Sequence, residues 1–195
     1  MGASSFELRH RYSTGHASPR ERISFWGGEV SGLGAVELVV PALELVHVQD
    51  RTTHIGALVT GDSIPPSSFV GWPYSGRPRL ARGKLRVAGR DAAFSRKSWG
   101  TGKEERGLRI WAVGREYTYV EKQDKRHHAL MRDEARVDME RSSWRDPNVI
   151  SGSVQGAADS VDISIAILFE GVYARNLSLR GALVSAPGRF MDRLS

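Results

Sequence analysis

Read as apolar and polar positions, the chain breaks into short segments. Phe6 to Tyr12 alternates weakly and predicts a strand, and Ser13 to Glu21, with Gly15 and Pro19, predicts a loop. Ile23 to Trp26 is a brief apolar run that Gly27 and Gly28 mark as ending in a turn. In AVELVVPALELVHV, Ala35 to Val48, Pro41 withdraws a ladder donor. Two strands meeting at a bend, or one edge strand, are expected there. His54 to Thr60 predicts another strand. Residues 61–83, GDSIPPSSFVGWPYSGRPRLARG, change in kind: Pro, Gly and Ser dominate, with Phe69, Trp72 and Tyr74 among them. A solvated linker rarely carries three aromatics, so a long loop packed on the surface is expected, within one β-rich domain spanning residues 1–195.

From Lys84 the rhythm becomes regular. KLRVAG, LRIWAVG, EYTYVEK, HALMRD, ARVDMERSSW and VISGSVQG follow one another, separated by Gly89, Gly107, Gly114, Asp133 and Asp146-Pro147-Asn148. Short alternating runs about ten residues apart predict an antiparallel meander in a barrel or sandwich. The pattern then breaks at ISIAILFEGVY. Asp159 or Ser160 suits a helix N-cap, and Asp162 places negative charge in the first turn. The run from Ile163 to Val172 is apolar nearly all round, so a helix over about residues 159–173 would be enclosed rather than amphipathic. The rival reading is a central strand, since Ile163, Ile165, Ile167 and Phe169 also fit a period of two. The capping start and the length favour the helix. Leu177 to Val184 predicts one more strand.

Charge modifies this picture only slightly. Net charge is +6, carried by 28 Lys and Arg against 22 Asp and Glu. Lys occurs only at 84, 97, 103, 122 and 125, so Arg dominates. A GC-rich, bacterial genome explains that bias, and a surface for phosphate or carboxylate groups is the functional alternative. The absence of Cys excludes disulfides, thiolate metal sites and a cysteine nucleophile. MGASSFELRHRYSTG lacks a signal-peptide apolar core, and no run reaches the ~18 apolar residues of a membrane span. A cytoplasmic protein is expected.

The chain offers little recognisable chemistry. Around Gly102-Lys103 a phosphate-binding loop fails, because Lys97 stands where its first Gly belongs and Glu104 where its hydroxyl belongs. Gly32 and Gly34 open a dinucleotide fingerprint that Glu37 leaves incomplete. His127 and His128 are adjacent, so in a strand they face opposite sides and cannot chelate one ion. No catalytic residue, metal site or cofactor is therefore assigned. The polar tip Glu121 to His128 is the one candidate site. It reads either as a solvated turn or as an anion contact through Lys122, Lys125 and Arg126. Tyr117 and Tyr119 lie near it but are equally explained by sheet packing, so nucleic acid is not favoured as a partner.

The order of short strands followed by ISGSVQGAADSVDISIAILFEGV resembles the tubby C-terminal-like superfamily, which includes the LURP-one-related proteins and the phospholipid scramblases. The resemblance covers roughly residues 84–175 and rests on architecture, with no short signature motif. It implies a mainly β fold, an antiparallel closed barrel of about twelve strands enclosing the hydrophobic helix near the C-terminus. Physically the proposal is coherent, since a helix apolar on every face needs a wall on every face. The resemblance also implies a non-enzymatic module that binds phosphoinositide headgroups through basic surface residues. The functional expectation is therefore a binding module for an anionic ligand, either a phospholipid headgroup at a membrane surface or phosphate, or for a protein partner. The alternatives are an assembly subunit of a phage or secretion complex, and a small hydrolase with an unrecognised site.

Overall fold

Side chains alternate between solvent and interior in almost every strand, and pairing of the first strand with the last closes the sheet on itself. The computed structural model describes residues 4–12, 23–96, 107–122, 124, 126–142 and 148–172. Its strands are β1 (Ser4–Tyr12), β2 (Ser24–Val30), β3 (Gly34–Val40), β4 (Ile55–Gly61), β5 (Ser67–Gly71), β6 (Pro73–Tyr74), β7 (Arg77–Pro78), β8 (Lys84–Val87), β9 (Arg90–Arg96), β10 (Leu108–Ala112), β11 (Arg115–Glu121), β12 (His127–Arg132), β13 (Ala135–Arg141) and β14 (Val149–Gly156). The helix α1 spans Ser160–Gly171. All strands except β6 and β7 form one closed antiparallel barrel, in the order β1-β14-β13-β12-β11-β10-β9-β8-β5-β4-β3-β2. β1 seals the ring, pairing with β14 through Ser4 to Arg9 and with β2 through Phe6 to Tyr12. Closure leaves none of these twelve strands at the edge of the sheet.

α1 threads the barrel. Every residue from Asp162 to Val172 is buried, and Ile165, Ala166, Ile167 and Leu168 have no exposed surface. Inward residues of the wall meet it from all sides, among them Leu8, Leu38, Val59, Phe69, Ile110 and Tyr119. Phe169 packs edge-on to Phe69, with centroids 6.2 Å apart, and against Tyr119 at 5.2 Å. Asp159 caps the helix: its Oδ1 accepts from the backbone N–H of Val161 and Asp162, while Asp162 Oδ2 accepts from the Asp159 N–H. This reciprocal box satisfies donors at both ends of the first turn.

Several expected elements differ. β2 runs straight through Gly27 and Gly28 to Val30, because its pairing with both β1 and β3 outweighs the local glycine signal. The second half of AVELVVPALELVHV is not a strand. β3 stops at Val40, a cis peptide leads to Pro41, and short 3-10 turns follow at Leu43–Leu45 and Val48–Asp50. The stretch 61–83 holds β5, a wall strand whose Phe69 is fully buried, and the small β6–β7 hairpin. β9, unremarked in the sequence, pairs with β8 and β10. The expected loop at Ser13–Glu21 and strand at Leu177–Val184 lie outside the described residues, Glu21 and Ser13 included.

Candidate functional site

The two mouths of the barrel are built differently. At the mouth where α1 enters, the chain turns from Val30 to Gly34, Gly61 to Ser67, Val87 to Arg90, Ala112 to Arg115, Arg132 to Ala135 and Gly156 to Ser160. These are tight turns; Ala88-Gly89 and Val113-Gly114 are two-residue hairpins with both residues at positive φ. At the opposite mouth lie the connections from Val40 to Ile55, Gly71 to Lys84 and Glu121 to His127, and the strand ends Tyr12, Ser24, Arg96, Leu108, Arg141 and Val149. The first two of these connections are longer than any at the turn mouth. Binding residues concentrate on such connections when a rigid scaffold positions them.

Charge pins the helix at both mouths. At the turn mouth, Arg132 forks onto Asp162, with Nε 3.0 Å from Oδ1 and Nη2 2.9 Å from Oδ2, and Arg115 Nη1 donates to Asp159 Oδ2 at 2.6 Å. Burial would raise the Asp159 pKa, but its bonds to Arg115 and the helix backbone hold it below the ordinary value. At the loop mouth, Glu170 is fully enclosed. Tyr119 donates its hydroxyl to Glu170 Oε1 at 2.9 Å, His128 Nδ1 lies 2.8 Å from the same oxygen, and Arg141 Nε contacts Oε2. Arg141 Nη2 and Arg77 Nη1 both reach the Glu170 carbonyl, Arg77 at 3.4 Å. Burial pushes the carboxyl upward, yet the contacts with His128 and Arg141 more than offset it and hold Glu170 well below the carboxylate range. Burial also pushes the Tyr119 hydroxyl well up, so it stays a proton donor. His128 stacks on Tyr119 with centroids 5.5 Å apart. This cluster fixes the helix C-terminus directly under the loop mouth.

The rim above it is apolar and basic. Trp72 is 43% exposed, Tyr74 47% and Val48 74%. The Arg82 guanidinium lies over the Trp72 ring at 5.3 Å from its centroid, and Arg79 over Tyr74 at 5.5 Å. β6 and β7 join through Ser75-Gly76, both at positive φ, a two-residue turn that suits hairpin twist. The Arg79 N–H donates to the Trp72 carbonyl at 2.9 Å and ties the hairpin back to its base.

The expected tip residues lie on the same mouth. Lys122 forms an ion pair with Asp138, which also receives Arg136 Nε at 2.9 Å. Arg126 Nη2 donates to Glu140 Oε1 at 2.9 Å. Lys125 lies outside the described residues. Asp124 organises the turn by accepting from the backbone of Arg126 and His127. The tip therefore brings Lys122 and Arg126 together, each beside a carboxylate of β13. His127 and His128 do face opposite ways: His127 contacts Asp124 and Glu140 outside, while His128 enters the barrel. Among the described residues no group of three or more His, Asp or Glu side chains is placed to hold a metal ion. A groove of about 370 Å³ on the outer wall exposes Arg11 beside Glu29, Glu37 and Asp62, a lining that repels anions.

Sequence reasoning singled out Trp72 and Tyr74 but packed them down, and it passed over Arg79 and Arg82. The signal was available: Tyr74-Ser75-Gly76-Arg77 is a short hairpin pattern, and a hairpin lifts its flanking side chains off the wall.

No protein family, curated protein or solved structure matches this chain. Among the described residues no helix is long and apolar enough to cross a membrane.

Proposed function

We propose that the barrel is a non-enzymatic binding module whose loop mouth receives an anionic, phosphate-bearing ligand. The observation that carries this reading is the pair of guanidinium groups, Arg79 and Arg82, held on exposed aromatic rings at that rim. A guanidinium is weakly hydrated and presents a planar donor fork that matches phosphate oxygens. A ring beneath it orients the fork. Lys122 and Arg126 extend the rim but are the weaker contacts, because Asp138 and Glu140 already hold them. α1 fills the barrel, so the ligand sits on the mouth and not inside. The resemblance to the tubby-like superfamily points the same way, since domains of that type bind phosphoinositide headgroups. A bacterial, cytoplasmic setting fits the Arg-rich, Cys-free composition.

Titration calorimetry with a soluble inositol phosphate tests it. Binding at low salt that weakens as salt rises is expected, with the Arg79→Ala/Arg82→Ala variant losing roughly tenfold or more, the equivalent of ~1.4 kcal/mol. Absence of binding to both soluble phosphates and anionic vesicles at low salt overturns the reading. It would leave a protein partner in front, which the Trp, Tyr and Arg composition of the rim also favours.

A further inference from the structure

We infer that the β6–β7 hairpin is a membrane-surface anchor, which inserts Trp72 and Tyr74 into the headgroup region of an anionic bilayer while Arg79 and Arg82 engage the lipid phosphates. The inference rests on the anion-binding reading and names the source of the anion: a bilayer, not a free phosphate.

Three observations separate a bilayer from the other sources. The first is that the exposed surface is apolar as well as basic. A free phosphate needs only the guanidinium forks, and nothing in its recognition calls for a half-exposed Trp beside a half-exposed Tyr. Those two side chains are the ones enriched at membrane–water interfaces, where an apolar ring and a polar tip both find their medium. Val48 adds an aliphatic group at the same mouth. Its connection enters β4 at Ile55, which pairs with Gly71, the residue before Trp72. The second is that a face of each ring is occupied by Arg82 or Arg79. A single-stranded nucleic acid stacks its bases on open aromatic faces, so this arrangement disfavours one. Both residues remain partly exposed, which suffices for shallow insertion. The third is charge. Among the described residues, the connections 41–54 and 72–84 carry Arg51, Arg79, Arg82 and Lys84 against Glu44 and Asp50, while Arg77 turns inward to the Glu170 carbonyl. The excess is positive, as an anionic leaflet requires.

The hairpin is also built to hold its shape. Pro73 pairs with Pro78, Ser75-Gly76 closes the turn, and the strand beneath is crowded: a Cβ on Gly71 would lie 2.5 Å from the Arg79 carbonyl oxygen. Little conformational freedom is then lost on insertion, which favours affinity.

The test uses the full chain with vesicles of phosphatidylcholine alone and of phosphatidylcholine with phosphatidylserine. Sedimentation with the second and not the first is expected, with Trp72→Ser/Tyr74→Ser lowering the partition coefficient at least tenfold while soluble inositol phosphate still binds. Acyl chains brominated near the headgroup should quench tryptophan fluorescence in the wild type, and Trp72→Phe should abolish most of that quenching. This second measurement decides the matter even if the double variant folds poorly. Equal vesicle binding by a folded double variant, or quenching unchanged in Trp72→Phe, overturns the anchor. Binding of soluble phosphate without binding of either vesicle overturns the anchor alone and leaves the anion-binding reading standing. Binding of neither ends both.

Discussion

At Glu170 an enclosed carboxylate keeps its charge because Tyr119, His128 and Arg141 meet it from three strands. Its folded pKa lies below its ordinary value of 4.5. The unfolded chain therefore takes up the proton first as pH falls. The resulting stability is complete above the ordinary carboxylate range and is lost as pH drops through it toward the folded value. Denaturant melts across that range should show a steep acid limb. Glu170→Gln should cost about 3–5 kcal/mol at neutral pH, since it leaves Arg141 buried without its partner, and should flatten the limb. Some slope should survive through Asp159 and Asp138, whose values are also lowered. An unaltered limb in the variant would assign the acid sensitivity elsewhere. The opposite sign is expected at Ala88, an exposed residue at φ 50 in a two-residue hairpin. Asn tolerates that conformation better, so Ala88→Asn should add about 1 kcal/mol, visible as a rise in Tm of roughly 2–4 °C. Neither residue announces its role in the sequence. Glu170 sits in ILFEGV, and its partners Arg141 and Tyr119 lie 29 and 51 residues away. Only the register of the strands brings them to one point.

Among elements, α1 was the most legible. Its cap, its length and its unbroken apolar surface are local properties, and local properties are what a single sequence displays. The strands from β10 to β14 were legible for the same reason, each alternating between turn residues. β2, β5 and β9 were not. Gly27 and Gly28 favour a turn locally, and only pairing with β1 and β3 keeps β2 extended through them. β5 is hidden by Pro65-Pro66 before it and Pro73 after it, although Phe69 alternates correctly within SSFVG. The enclosure of α1 gives a sharp prediction. Ile167 has no exposed surface and no polar neighbour in sequence between Ile165 and Phe169. Ile167→Asp should prevent folding, because its carboxylate would be buried without a partner, whereas Ile167→Ala should fold with a loss of about 2–5 kcal/mol. A melting temperature for Ile167→Asp within a few degrees of the wild type would mean that α1 is not sealed in.

For the molecule as a whole, the contrast between the two mouths is what points the proposed function to one of them, and the distribution of charge grades the residues there. Arg126 already faces Glu140 and Lys122 faces Asp138. Lys122→Ala/Arg126→Ala should therefore weaken binding to anionic vesicles less than Arg79→Ala/Arg82→Ala does, as read by co-sedimentation at matched salt; the reverse order would return the site to the β11–β12 tip. That tip was visible in the sequence as a run of charge, but the carboxylates that offset it come from β13 and were not. The ring itself imposes an order on biosynthesis. β1 leaves the ribosome first, yet one of its two partners, β14, comes after every other strand of the barrel. Until Val149–Gly156 emerges, the nascent sheet has two open edges and an uncovered apolar face, and α1 follows only then. Closing the ring and sealing its plug are consequently one late event. A chain stalled on the ribosome before residue 149 should remain open to protease and to capture by chaperones, however much of its sheet has already paired.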